Sequence, residues 1–214
     1  MYIAQVEKEQ RWLPLLAPQL PLPIPQPVAK GAPSCGFSRP WSVYRRLPGE
    51  PATVERVANL DRLAADLADF LAARYAIDST DGPVAGEHNF FRGGPLSTYD
   101  RDTRQAIAAL GGEIDTDAAT QVWEAALAAP WHGPPVWVHG DMTASNLRVV
   151  DGRLSAIIDF GCSAAGDAAC DTTTAWTFFH GDNRQTFRNR LRLDDATWSR
   201  GRGWACAGCS GMTP

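Results

Sequence analysis

Apolar residues recur at helical spacing through much of this chain. Val6, Trp12, Leu13, Leu15 and Leu16 place a short amphipathic helix at residues 3–17, ended by Pro14 or Pro18 because a proline ring blocks the helical hydrogen bond. The following LPLPIPQPV is too rich in proline for a helix and reads as extended chain, its interleaved Leu, Ile and Val giving it one buried side. WSVYRRL at 41–47 reads as a strand, and Pro48-Gly49-Glu50-Pro51 as a turn. From Thr53 to about Ala76 the pattern predicts a long helix, with Val54, Val57, Leu60, Leu63, Leu67, Phe70 and Leu71 on one face and Thr53 as its N-cap.

Residues 78–99 are rich in Gly, Pro and Asp and read as loop. Helices are expected at 100–111 and 117–129, the second capped by Asp115 or Thr116, and again near 167–180 and 183–192; Val136 to Val138 reads as a short strand. The strongest local signal is Asp151-Gly152 between LRVV and RLSAII, a two-residue loop suited to the twist of an antiparallel hairpin. If Val150 pairs with Arg153, then Leu147 meets Ala156 and Asn146 meets Ile157. Asp159 would share the face of Ile157, which brings the Asn146 amide and the Asp159 carboxylate to one end. Asp141 leaves the strand through His139-Gly140, where glycine permits a turn, and a short loop holds it near that amide.

Composition narrows the classes. At 214 residues, 44% of them hydrophobic, the chain can bury a real core. Its 20 Lys and Arg against 24 Asp and Glu are scattered, so no basic face for nucleic acid emerges. No apolar run reaches the ~18 residues of a membrane span and no secretory signal opens the chain, so the expectation is a cytoplasmic protein with no membrane partner. Cys35, Cys162, Cys170, Cys206 and Cys209 are irregularly spaced, and Cys206-x-x-Cys209 lacks a second ligand pair in what reads as a loose tail. Reduced thiols are expected rather than disulfides or zinc.

Three oxygen-bearing groups thus converge on one corner. Carboxylate and amide oxygens with room for phosphate and water suit Mg²⁺, while Asp141 can stay clear of the metal and accept a proton. The combination H-G-D-x4-N, hairpin, I-I-D-F-G is far more specific than any of its parts. A metal-dependent hydrolase using His139, Asp141 and Asp159 fits the residue types but explains neither Asn146 nor YRRLPGE.

VHGDMTASNLRVVDGRLSAIIDFG resembles the catalytic loop and metal-binding strand end of the aminoglycoside phosphotransferase family, relatives of the protein kinases, and GDAACDTTTAW the segment after them. His-Gly-Asp stands where kinases have His-Arg-Asp. EKEQRWLPLLAPQLPLPIPQPVAKGAP resembles that family's first-lobe helix and next strand, WSVYRRLPGEPA its inter-lobe hinge, and DDATWSRGRGWA part of its final helices. The resemblance implies an α+β, protein-kinase-like two-lobe fold: residues 1–50 as a partial N-lobe and hinge, 51–214 as a mainly helical C-lobe carrying a catalytic β-hairpin. It implies ATP and Mg²⁺, with Asp141 as base or orienter of a substrate hydroxyl, Asn146 and Asp159 as Mg²⁺ ligands, and His139 as a brace of the loop. Backbone groups of Tyr44, Arg45 and Arg46 would face the adenine, and Glu9 would be the helix glutamate.

The chain also departs from that pattern. Only eight residues precede Glu9, leaving no room for the phosphate-covering loop or the lysine that pairs with the glutamate; Lys8 is expected to point elsewhere, and Lys30 lies past the helix. The closing CAGCSGMTP lacks apolar periodicity and reads as a truncated end. Losing one phosphate-gripping donor commonly lowers the rate by about 100- to 1,000-fold. Uncovered apolar surface would favour self-association. The expectation is an ATP- and Mg²⁺-dependent phosphotransferase acting on a hydroxyl of a small molecule, aminoglycoside-like or another metabolite, and impaired in this chain. The alternative is a non-catalytic remnant that binds nucleotide or metal weakly. Glu87, Asp100, Asp102 and Asp182 could meet a cationic acceptor but read first as solvated charges; Trp176, Phe178 and Phe179 read as core.

Overall fold

A computed structural model describes residues 2–34 and 36–209, and the side chains of all of these but 2–4 and 209. Cys35 and the closing SGMTP, about which the sequence raised expectations, lie outside the described residues. The first helix, α1 (Tyr2–Leu16), runs through Pro14 rather than ending there. Leu13 and Leu16 are buried in the core, and two such side chains together offset the roughly 3 kcal/mol that an interior proline costs a helix. A 3₁₀ turn at Ala17–Gln19 releases the proline-rich chain, which bends at residues 21–22 and runs without helix to β1 (Pro27–Gly31).

β1 pairs antiparallel with β2 (Trp41–Tyr44), which stops short of the expected Leu47 because residues 45–49 leave the ladder. The expected turn at 48–51 is instead partly strand: β3 (Glu50–Pro51) pairs along the Asp151-Gly152 hairpin, Glu50 opposite Val149 and Pro51 opposite Arg148. Proline is tolerated there because β3 is an edge.

α2 (Leu60–Tyr75) begins seven residues later than the apolar pattern suggested. Its N-cap is Asn59, whose side chain accepts from the Arg62 N–H at 2.8 Å, while the Thr53 carbonyl closes a separate turn with Arg56 and Val57. The intervening residues strap the hairpin, with Ala52 N–H donating to Leu147 O and Ala58 N–H to Gly152 O. The 78–99 segment is largely irregular, as expected, with 3₁₀ turns at Glu87–Asn89 and Leu96–Tyr99. α3 (Asp100–Ala109) and α4 (Thr116–Ala128) follow, α4 capped by Asp115.

Then come β4 (Val136–Val138), the hairpin β5 (Leu147–Val150) and β6 (Arg153–Ile157), and β7 (Ala164–Gly166), which pairs antiparallel with β4. The chain continues through a 3₁₀ turn (Ala168–Thr173) to α5 (Thr174–Thr177), α6 (Gly181–Leu191) and α7 (Asp195–Cys209). α7 carries Cys206 and Cys209 within a helix, so the expected loose tail is ordered at least that far. Its Trp204 and Ala207 are buried.

One core cluster joins α1, α2, the hairpin and α6, and takes in Phe179 with Trp176 and Phe178 packed against it. A second joins Leu96, Ile107 and Trp123 to Trp204 of α7. Val28, Trp41 and Val43 of the small β1–β2 sheet are exposed. No helix among the described residues is long and apolar enough to cross a membrane.

Candidate active site

Asp151 and Gly152 both have positive φ, 49° and 76°, the two-residue turn that suits a twisted hairpin. Val150 faces Arg153 as expected, but a bulge between Arg148 and Val149 then shifts the register: Arg148 faces Ala156 and Leu147 faces Ile157. Ser155 stands in the bulge and donates its hydroxyl to Arg148 O. Asn146 therefore lies opposite Ile158, whose N–H donates to Asn146 O at 3.0 Å. Asp159 does not share the face of Ile157 either. It takes a left-handed conformation, φ 65° and ψ 68°, which ends the alternation and turns its carboxylate outward while Phe160 is buried behind it.

The loop before the hairpin is held just as closely. Asn146 Nδ2 donates to Asp141 twice, to its carbonyl at 2.9 Å and its carboxylate at 3.0 Å. The amide oxygen of Asn146 is thereby left as the atom available to a cation. Desolvation raises the Asp141 pKa above its ordinary value; the Asn146 hydrogen bond opposes this, Asp159 adds to it, and Arg92 opposes it.

His139 is fully buried and touches the site only through its neighbours. The Asp141 N–H donates to Nδ1 at 3.2 Å, so the ring proton resides on Nε2, which donates to Ile158 O at 3.0 Å. Burial, with Arg74 nearby, holds its pKa down to about 3, and the imidazole stays neutral. One neutral ring thus ties the Asp141 loop to the strand end that presents Asp159. The next residue, Gly140, has φ +83°, and a Cβ there would stand 2.5 Å from Cys162 O, so glycine is required.

Two residues absent from the sequence reading anchor this loop. Asp171 is fully buried and accepts from the N–H groups of His139 at 2.8 Å and Gly140 at 2.7 Å. Its segment, GDAACDTTTAW, carried a resemblance, but nothing in it set this carboxylate apart from a solvated one. Arg74 of α2, also fully buried, donates to Val138 O at 3.0 Å and to Ser163 Oγ, and lies over the Phe160 ring at 4.8 Å. Nothing in the helical pattern distinguishes it from a surface arginine.

Glu9, Tyr44, Arg45, Arg46 and Asp159 line one cleft of about 420 Å³ together with Pro25, Leu47, Arg148 and Ile158. That volume suits a small ligand. Tyr44 contributes its hydroxyl, which donates to Glu9; burial and this bond push the Tyr44 pKa to about 12. Desolvation likewise raises Glu9. Arg45 gives its N–H to Gln26 O at 2.9 Å. Lys8 points away from Glu9, to Gly161 O at 2.6 Å and His88 Nδ1 at 3.2 Å, and desolvation lowers its pKa to about 8.

Among the described residues no three His, Cys, Asp or Glu side chains gather as a self-sufficient metal cage. The donors present, an exposed Asp159 carboxylate and the Asn146 amide oxygen with Asp141 behind it, match what Mg²⁺ accepts when phosphate and water complete its shell.

A base-type carboxylate on a braced loop, an amide and a carboxylate at a hairpin end, and a cleft between a small sheet and a helical body define a kinase-like site. The chain matches the model of the phosphotransferase enzyme family (APH) over residues 2–204, and it belongs to that family. No curated protein sequence matches it. Solved structures share its protein-kinase-like fold. The GDP complex of a point mutant of aminoglycoside 2'-phosphotransferase-IIIa is 20% identical with a TM-score of 0.72, covering 97% of this chain and 72% of that one. The GDP and kanamycin complex of APH(2")-IIia is 21% identical with a TM-score of 0.68, covering 97% and 73%. The macrolide 2'-phosphotransferase MphH from Brachybacterium faecium is 23% identical with a TM-score of 0.58, covering 97% and 70%.

Proposed function

We propose that this chain transfers the γ-phosphoryl group of ATP to a hydroxyl of a small molecule, with Mg²⁺ held by Asn146 and Asp159. The observation that carries the reading is the pairing of Asp141 with Asn146 beside Asp159, at the edge of a cleft lined by Glu9 and the 44–47 segment. The nucleotide occupies that cleft, its phosphates toward Asp159 and its charge met by Arg45, Arg46 and Arg148. Bound Mg²⁺ would neutralise phosphate charge.

Asp141 accepts the proton of the acceptor hydroxyl. The hydroxyl oxygen bonds to the γ-phosphorus as the bond to the β–γ bridging oxygen breaks, and that electron pair leaves with ADP. Desolvation, which raises the proton affinity of Asp141, suits it to this task. Asn146 aims the carboxylate, and His139 acts through the backbone as a positioning residue.

A second reading, nucleotide binding with little turnover, draws on one observation. Both lysines of the chain are engaged away from the cleft, Lys8 at Gly161 and Lys30 at Glu7. Titration calorimetry with Mg²⁺ and ATP, followed by ADP release over a panel of hydroxylated acceptors, separates the two. Transfer that Asp141→Ala abolishes while ATP affinity survives supports the first, and ATP binding without transfer to any acceptor supports the second. If ATP fails to bind, both are wrong; if Asp159→Ala leaves Mg²⁺-dependent binding intact, the metal assignment of the first is wrong.

A further inference from the structure

Beside Asp141, outside the lining of the nucleotide cleft, stands a cation with no ion-pair partner among the described residues. Arg92 leaves the 86–94 loop with its backbone firmly held: the Asn89 amide donates to Arg92 O at 2.8 Å and to Cys162 O at 3.1 Å, and the Arg92 N–H donates to Asn89 O at 3.1 Å. Its guanidinium lies over the rings of Trp204 at 5.3 Å and Tyr99 at 5.9 Å. Such contacts hold a guanidinium through its cation–π attraction without using its fork of N–H groups. Among the described residues the fork makes no hydrogen bond and no ion pair.

Arg92 is also close to the reacting corner. A Cβ placed on Gly140 would lie 3.0 Å from the Arg92 Cβ, and the positive charge pulls the Asp141 pKa down against its desolvation. It does not line the nucleotide cleft. Asp100 is held by Trp123 Nε1 and Arg104, and none of Glu87, Asp100, Asp102 and Asp182 forms an ion pair with Arg92 among the described residues.

We propose that Arg92 binds an anionic group of the acceptor, so that the substrate class is a hydroxylated organic acid whose carboxylate docks on the guanidinium and whose hydroxyl reaches Asp141. This rests on the phosphotransferase reading above. A planar guanidinium fork set beside two aromatic rings can meet a carboxylate bidentately, and a cationic acceptor placed there would meet like charge.

The test compares three six-carbon hydroxylated molecules of different charge: gluconate, sorbitol and glucosamine. Their binding to the ADP-loaded chain with Mg²⁺ is measured by calorimetry, so that no turnover is needed. Gluconate is expected to bind about ten- to hundred-fold tighter than sorbitol, the span of one charge-assisted contact, with glucosamine weakest. Arg92→Met should erase the preference for gluconate while leaving the affinity for ADP and for the ATP analogue AMP-PNP unchanged. Arg92→Lys, which keeps the charge but not the fork, should retain part of it and guards against a misfolded Met variant. The proposal is overturned if glucosamine binds as tightly as gluconate, if gluconate does not bind, or if Arg92→Met leaves its preference intact. It is equally overturned if Arg92→Met weakens AMP-PNP but not ADP, because the anion is then the γ-phosphate. Failure of ADP itself to bind refutes the phosphotransferase reading instead.

Discussion

Asp171→Ala isolates the anchor beneath the Asp141 loop. The substitution deprives two buried N–H groups, those of His139 and Gly140, of acceptors at 2.8 and 2.7 Å. Each orphaned buried donor costs about 1–3 kcal/mol, and removing a desolvated carboxylate returns part of that, so a net loss of about 3 kcal/mol is expected. For a domain of this size such a loss lowers Tm by roughly 6–12 °C. Asp171→Asn keeps one acceptor oxygen but turns an NH₂ toward the other donor, and should lose about half as much. Urea unfolding gives the magnitude, and amide hydrogen exchange gives the location, because Gly140 and Asp141 should exchange faster in both variants. The reasoning fails if Asp171→Ala stays within about 1 kcal/mol of the parent, or if it destabilises the chain without changing exchange at residues 139–141.

The buried neutral His139 makes stability depend on acid. Its folded pKa of about 3 lies below the unfolded value, so the folded state binds fewer protons between pH 6.5 and 3 and stability falls there by up to about 1.4 kcal/mol per pH unit. Asp171, Asp141 and Glu9, raised chiefly by desolvation, act in the opposite sense: they add stability as the pH falls through their raised values toward the ordinary carboxylate range. Denaturation midpoints of His139→Asn, which cannot titrate, should therefore drop less steeply than those of the parent between pH 6.5 and 3. A second prediction concerns the buried Asp167–Arg200 pair, bonded at 2.6 and 3.0 Å: Arg200→Met should cost about 3–5 kcal/mol in calorimetric unfolding because Asp167 is left uncompensated.

Periodicity located the helices well where burial is one-sided, as in α2, α3 and α4. It misplaced the start of α2 because Val54 and Val57 carry helical spacing while the backbone around them is drawn onto the hairpin through Ala52 and Ala58. Such long-range hydrogen bonds leave no trace in a local pattern. The Asp-Gly turn was legible, and so was the closeness of Asp141 and Asn146, which a four-residue loop enforces. The bulge was not, because Ser155 is as compatible with a regular strand as with a bulge. Asp171 and Arg74 were missed for a shared reason. Their side chains serve backbone groups far away in the chain, and composition cannot distinguish a buried charge from a solvated one.

Arg74 has a mechanical consequence. One side chain from α2 grips the strand before the Asp141 loop, the segment after Asp159 and the Phe160 ring between them. Those segments and α2 should therefore move as one body. Any closure around a nucleotide must be taken up on the opposite wall, where the 45–49 segment runs outside any ladder; α1 is tied to the fixed body through Leu13 and Leu16 in the shared core. The cleft should accordingly open and shut like a hinge with one fixed leaf.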